Sequence, residues 1–174
     1  MKFEKIVFLM ITISICTVLI TTQLQTQDSI SVLVNNSGPY IGTAVPHDYG
    51  FDGSGIIISV IDTGVDFNHP DLLGLGLDGK IIGGYDFVDN DETPQDSNGH
   101  GTQVAGIIAS NGNLKGIAPN SKILAYRVSE DGESVSSDLI IKAIEKSIND
   151  NADIINISLG VNQTNTKIDQ IVTK

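Results

Sequence analysis

Ile56-Ile57-Ile58-Ser59-Val60-Ile61-Asp62-Thr63-Gly64 is the stretch on which the reading of this chain turns. Residues 56–61 are apolar except for Ser59, with Gly55 before them and Asp62 after. A strand with one wet face alternates apolar and polar residues, whereas one covered on both faces reads as a continuous apolar run. The segment therefore predicts an interior strand of a parallel sheet. Ligands of open α/β sheets bind beyond the carboxyl ends of the strands, and Asp62 stands at such an end. Taken alone, an aspartate there is also a common turn former, so its neighbours must decide its role.

Outward from this strand, three more short apolar runs follow: Ile81–Val88, Ile123–Val128 and Ile154–Leu159. Between the last two, Ile140, Ile144, Ser147 and Ile148 fall on one face of a helix spanning Ser136–Asp150, widened by Leu139, Ile141 and Ala143. Ser136 or Ser137 can cap its start, Asp138 suits its first turn, and Asn151 suits its stop. A second helix is expected over His100–Ser110, where Gly101, Ala105 and Gly106 permit close packing. Strands alternating with helices predict an α/β fold around a parallel sheet. There is no internal repeat.

The 174 residues suffice for one domain with a core. Lys and Arg number 10 against 21 Asp and Glu, a net charge of −11, which argues against nucleic-acid binding. Cys16 is the only cysteine, so no disulfide framework is available. Lys2 and Lys5 precede the apolar run Ile6–Ile20, and a polar stretch rich in Thr and Gln follows, the layout of a secretory signal. The run is short of the roughly 20 residues of a membrane span. No small-residue cleavage site stands near Thr21–Gln25, which leaves a retained anchor open. The expected organisation is a signal or anchor over 1–22, a polar linker over 23–40 and a domain over 41–174. A secreted, extracellular protein is expected, or one tethered to the membrane by residues 6–20.

His100 lies between Gly99 and Gly101. An imidazole titrates near neutral pH and suits general-base work, provided an acid fixes its tautomer. Asp62 is the candidate acid. Together, VIDTGVDFNHPDL (60–72) and NGHGTQVAGIIA (98–109) resemble the aspartate and histidine signatures of the subtilisin-like (S8) serine proteases, in the Asp, His, Ser order of subtilisin. The segment IINISLG (154–160) is similar to the strand that lines the cleft in that family. The likeness runs from about residue 40 to 165. It implies a subtilisin-like three-layer α/β fold with a parallel sheet, truncated on its C-terminal side, and a serine endopeptidase acting on extended polypeptides. Asp62 would orient His100, the general base. Ser158, Leu159 and Gly160 would bind substrate backbone, and Gly132, Glu133 and Ser134 would pair with it as an added strand.

The family's Gly-Thr-Ser-Met-Ala segment, with its nucleophile, and its oxyanion-hole asparagine find no match. Ser158 belongs to the cleft strand and does not substitute. The expectation is a fragment that does not turn over peptides by itself; the alternative is a non-catalytic secreted remnant that binds peptides or calcium. Gln103 stands where the family usually has a second histidine, a structural position, so the triad is not in doubt. Asp62-Thr63-Gly64 also spells the aspartic-protease motif, but those folds are β-rich and lack the histidine segment.

The segment Asp86–Gln95 crowds oxygen donors into one loop, and such a loop is costly unless something neutralises it. An EF-hand does not fit: counted from Asp89, Pro94 takes the glycine position and His100 the final glutamate. The loop is similar to a calcium loop of thermitase-like subtilases, which implies Ca²⁺ bound by Asp86, Asp89, Asp91, Gln95 and the carbonyl of Thr93. A solvated acidic loop is the competing reading. Asp71 corresponds to a ligand of another calcium site in the family, but its partner loop, Ser110–Lys115, is short, and no second ion is expected there.

Overall fold

The structure is a computed structural model that describes residues 38, 41–74, 76, 79–133 and 135–160. The expected signal or anchor, nearly all of the linker, Ser134 and residues 161–174 lie outside the described residues. In chain order the elements are α1 (Ala44–Asp48), β1 (Ile57–Asp62), a 3-10 turn (Pro70–Leu72), β2 (Ile81–Asp86), α2 (His100–Ala109), β3 (Lys122–Arg127), α3 (Ser137–Asn149) and β4 (Ile154–Ile157). The sheet order is β2-β3-β1-β4, and every pairing is parallel. The α/β expectation holds, with β1 inside the sheet.

The strand faces explain the continuous apolar run. Ile58 and Val60 point to one side, where they pack with Val65, Leu72, Ile81, Ile123 and the α2 residues Ala105 and Ala109. Ile61 points to the other, with Leu124, Tyr126, Val128 and the α3 residues Ile140, Ala143 and Ile144. Ser59 shares that second face. Its hydroxyl lies 2.6 Å from that of Ser147, which in turn donates to the Ala143 carbonyl at 2.7 Å. The one polar position in the run is therefore hydrogen-bonded in the interior, as a buried hydroxyl must be. Helix, sheet and helix make three layers.

α3 begins where expected, with the Ser136 hydroxyl accepting the Asp138 N–H at 3.3 Å. Asn151 takes the left-handed φ of 60° that ends it. Two expectations fail. Ile148 is 55% exposed, because eight residues beyond Ile140 a helix has turned about 80° away from it. In α2 the small residues facing the sheet are Gly101, Ala105 and Ala109, four apart. Gly106 takes no part in that approach, since a Cβ there would meet nothing within 4 Å. Among the described residues, no helix is long and apolar enough to cross a membrane.

Candidate active site

Asp62, the last residue of β1, is fully buried. Its Oδ1 accepts the Thr63 N–H at 2.8 Å and lies 2.7 Å from His100 Nδ1. The imidazole is 44% exposed, so it rests one nitrogen on a buried carboxylate and turns its remainder to solvent. With Nδ1 donating to Asp62, the proton of the neutral ring sits there and Nε2 keeps its lone pair. Asp62 Oδ2 is buried and has no hydrogen-bond partner. A carboxylate so poorly compensated gains when a positive charge forms beside it, which is what happens when Nε2 takes a proton.

Two motifs far apart in sequence meet because β1 ends against the start of α2, and small residues permit the approach. A Cβ on Gly101 would fall 2.1 Å from the Gly64 carbonyl and 3.1 Å from Asp62 Oδ1. Gly64 has φ of 103°, and a Cβ there would lie 2.7 Å from the Pro94 carbonyl. Neither position accepts a side chain without moving backbone.

Asp96, missed in the sequence, fastens this junction. Its Oδ1 accepts the Asn98 and Gly99 N–H groups, each at 2.9 Å, and the Thr63 hydroxyl at 3.0 Å. Its Oδ2 accepts the Thr102 N–H at 2.9 Å. The Thr63 oxygen accepts the Gly101 N–H at 2.9 Å, so one side chain joins the strand end to the helix start. The available signal was an aspartate two to three residues before Asn-Gly, the spacing at which a carboxylate caps its own backbone. Burial works to raise the Asp96 pKa, but the hydrogen bonds from Gly99, Thr102 and Asn98 outweigh it and hold the carboxyl below its ordinary range. A depressed pKa contributes stability above the unfolded-state carboxylate value, lost as pH falls through the folded value. Unfolding measured by circular dichroism between neutral pH and pH 2 should therefore show stability falling on acidification. Asp96→Asn should be less stable at neutral pH and show a shallower fall. An unchanged pH profile in that variant would refute the assignment.

Gly132 lies beside the root of the His100 side chain: a Cβ there would be 3.9 Å from His100 Cβ and 3.4 Å from Thr63 Cγ2. Its loop is tied to the histidine loop by the Asn98 amide, which donates to the Asp131 carbonyl at 3.0 Å. Glu133 is exposed beside it. Ile157 pairs with Ile61, so Ser158-Leu159-Gly160 leaves the sheet at the same edge as Asp62. Ser158 and Gly160 are exposed, while Leu159 is half-buried and packs against the core cluster on the α3 side of the sheet.

The acidic loop has a counter-ion that the sequence reading did not name. Arg127 Nη1, at the end of β3, lies 2.7 Å from Asp86 Oδ2 and 2.6 Å from Asp89 Oδ2. Burial opposes the Arg127 charge, but Asp86 and Asp89 overcome it and raise its pKa. Asp86 Oδ1 accepts the Val88 and Asp89 N–H groups at 2.8 and 2.9 Å. Asp91 is exposed and accepts the Thr93 N–H at 2.7 Å; the Thr93 carbonyl accepts the Gln95 N–H, also at 2.7 Å. The Gln95 side chain is engaged by Phe67 N–H and Asp66. Among the described residues, no three His, Cys, Asp or Glu side chains gather as a metal cluster. Asp71 is buried and accepts the Asn113 N–H at 2.7 Å, so its short partner loop closes on it directly.

An imidazole held by a buried carboxylate at the carboxyl edge of a parallel sheet has the arrangement of an acid-positioned general base. The model of the subtilase family (Peptidase_S8) matches residues 53–174, and the chain belongs to that family. It is 42% identical over 146 residues to the minor extracellular protease Vpr of Bacillus subtilis (strain 168), covering 77% of this chain and 17% of that protein. It is 43% identical over 125 residues to thermitase of Thermoactinomyces vulgaris, covering 70% and 43%. A crystal structure of a cold-adapted subtilisin-like serine proteinase superposes with a TM-score of 0.60 at 40% identity, covering 71% of this chain and 43% of that one. The chain thus spans less than half the length of these relatives.

Proposed function

We propose that this chain supplies the acid, the base and part of the peptide cleft of a serine endopeptidase acting outside the cell, with residues 1–22 serving in export or anchoring. What supports the reading is the 2.7 Å pairing of His100 Nδ1 with buried Asp62. In that role His100 Nε2 removes the proton of a serine hydroxyl as it attacks the peptide carbonyl, then returns it to the leaving amine, while Asp62 holds the imidazolium. The nucleophile is not among the described residues. Ser158–Gly160 and Gly132–Ser134 would flank the substrate as extended neighbours.

A fluorophosphonate probe tests the assignment. The 174-residue chain alone should stay unlabelled. A protein in which this chain continues into a serine-bearing segment should be labelled and should cleave casein. His100→Ala should abolish both, and labelling or cleavage indifferent to His100 would overturn the reading.

Calcium is the implied ion. The donors at Asp86, Asp89, Asp91, Thr93 and Gln95 are all hard oxygens, and one guanidinium against the four carboxylates of Asp86, Asp89, Asp91 and Glu92 leaves the loop net negative, so the chemistry fits a hard divalent cation. Bound there, calcium would brace the loop that leads into α2; no catalytic step passes through it. Saturating Ca²⁺ added after chelation should raise Tm by about 5–10 °C. A Tm indifferent to Ca²⁺ would leave Arg127 as the loop's counter-ion.

A further inference from the structure

The pair Asn-Gly occurs twice in the chain, at Asn98-Gly99 and at Asn111-Gly112. An asparagine before glycine is open to attack on its own side chain, because the next backbone nitrogen has no Cβ beside it to hinder the approach. Ring closure requires that peptide to swing toward the side-chain carbon, so the surroundings of each glycine decide which pair reacts. Gly112 is wedged: a Cβ there would fall 2.1 Å from Asp71 Oδ1 and 2.9 Å from Asp71 Cα. Asn111 is half-buried, with its amide on Asn120 at 3.3 Å. At Gly99 a Cβ would meet nothing within 4 Å, and Asn98 is exposed. The contacts of Asn98 favour attack further. Its Oδ1 accepts the His100 N–H at 3.2 Å, which polarises the side-chain carbonyl as an oxyanion donor does. Opposing this, Asp96 Oδ1 holds the Gly99 N–H at 2.9 Å, a bond that must open first.

We propose that Asn98-Gly99 is a self-modification site, converting to aspartate and isoaspartate immediately before the base. The Gly99 nitrogen gives up its proton and bonds Asn98 Cγ while the Cγ–Nδ2 bond breaks, and Nδ2 leaves as ammonia with a proton from water. Water then opens the ring, and nothing is oxidised or reduced. Opening at Cγ gives aspartate; opening at the backbone carbonyl gives isoaspartate, whose chain runs through Cβ. Either product ends the bond from the Asn98 amide to the Asp131 carbonyl, since a carboxylate has no N–H to donate. Isoaspartate also adds a carbon to the backbone ahead of His100. The imidazole then loses its 2.7 Å contact with Asp62 while Asp96 keeps hold of Asn98 and Thr102. The chemistry stands apart from the proposed function; only its consequence for the base rests on that reading.

The folded 174-residue chain would be held in mildly alkaline buffer, sampled over days, digested and sequenced by mass spectrometry, with isoaspartate read by methyltransferase labelling. Asn98 should convert about tenfold faster than Asn111, and the two rates should converge in urea, where both glycines are free. Asn111 keeping pace with Asn98 in the folded chain, or an Asn98 that never converts, would overturn the inference. Nitrogen-15 spectra of the same samples should lose the His100 Nδ1–H signal in step with isoaspartate. Asn98→Gln, whose longer side chain does not close the same ring, should age without that loss. The same loss in Asn98→Gln, or an intact signal in the isoaspartate form, would refute the link to the base. None of these readouts needs a nucleophile, so their failure is distinct from failure of the proposed function.

Discussion

Arg127→Ala should lower the unfolding free energy by about 3–5 kcal/mol, the scale for removing one partner of a buried ion pair. The guanidinium is 8% exposed and Asp86 is 2% exposed, so alanine would strand a carboxylate where water does not reach. Against a domain's usual 5–15 kcal/mol, that loss would leave little reserve. The damage should come mainly from the orphaned charge. Asp86→Asn keeps a carbonyl oxygen for the Val88 and Asp89 N–H groups while removing that charge. Arg127→Met with Asp86→Asn should therefore recover a good part of what Arg127→Ala loses, as paired removals usually do. Urea unfolding of the two variants measures this directly. A loss below about 1 kcal/mol in Arg127→Ala would mean that the pair is open to solvent.

Arg127 also shows where sequence reading stops. The run Ile123–Val128 was legible as a strand because burial on both faces imposes an apolar pattern on neighbouring residues. The strand ends in Arg127, and its partners stand 41 and 38 positions earlier; no local periodicity joins them. The acidic loop was legible as a charge to be neutralised, but the neutralising group was not. The same holds for Asp96, whose hydrogen bonds to Asn98 and Gly99 are local while its bond to Thr63 spans 33 positions. Asp62 and His100 were legible because the residues around each spell a family signature; of their glycines, Gly64 answers a local positive φ, whereas Gly101 answers a close approach to Asp62 and Gly64 that no local pattern shows. Ile148 failed for a smaller reason: a wide helical stripe has edges, and the sheet covers only its centre.

In a serine-bearing protein containing this chain, Asp62→Asn should lower kcat by about 10⁴-fold with little change in KM, the loss that follows when the acid of a triad is neutralised. The local hydrogen bonds say why an amide cannot serve. Oδ1 of Asp62 accepts from both Thr63 N–H and His100 Nδ1–H, and Oδ2 has no partner. If the asparagine keeps its oxygen at the first position, its NH₂ is buried without an acceptor, and no charge remains to hold an imidazolium. If it flips, the NH₂ faces the Thr63 N–H and presents a donor to Nδ1. The ring must then carry its proton on Nε2, the nitrogen that has to be bare to act as base. Both arrangements disable the step while leaving the peptide-binding residues in place, hence the kcat effect without a KM effect. Nitrogen-15 spectra of the histidines in the 174-residue chain would separate them, since the Nδ1–H and Nε2–H tautomers are distinct. A fall in kcat below tenfold would mean that Asp62 does not act through His100. A tenfold rise in KM instead would place Asp62 in holding the cleft rather than the base.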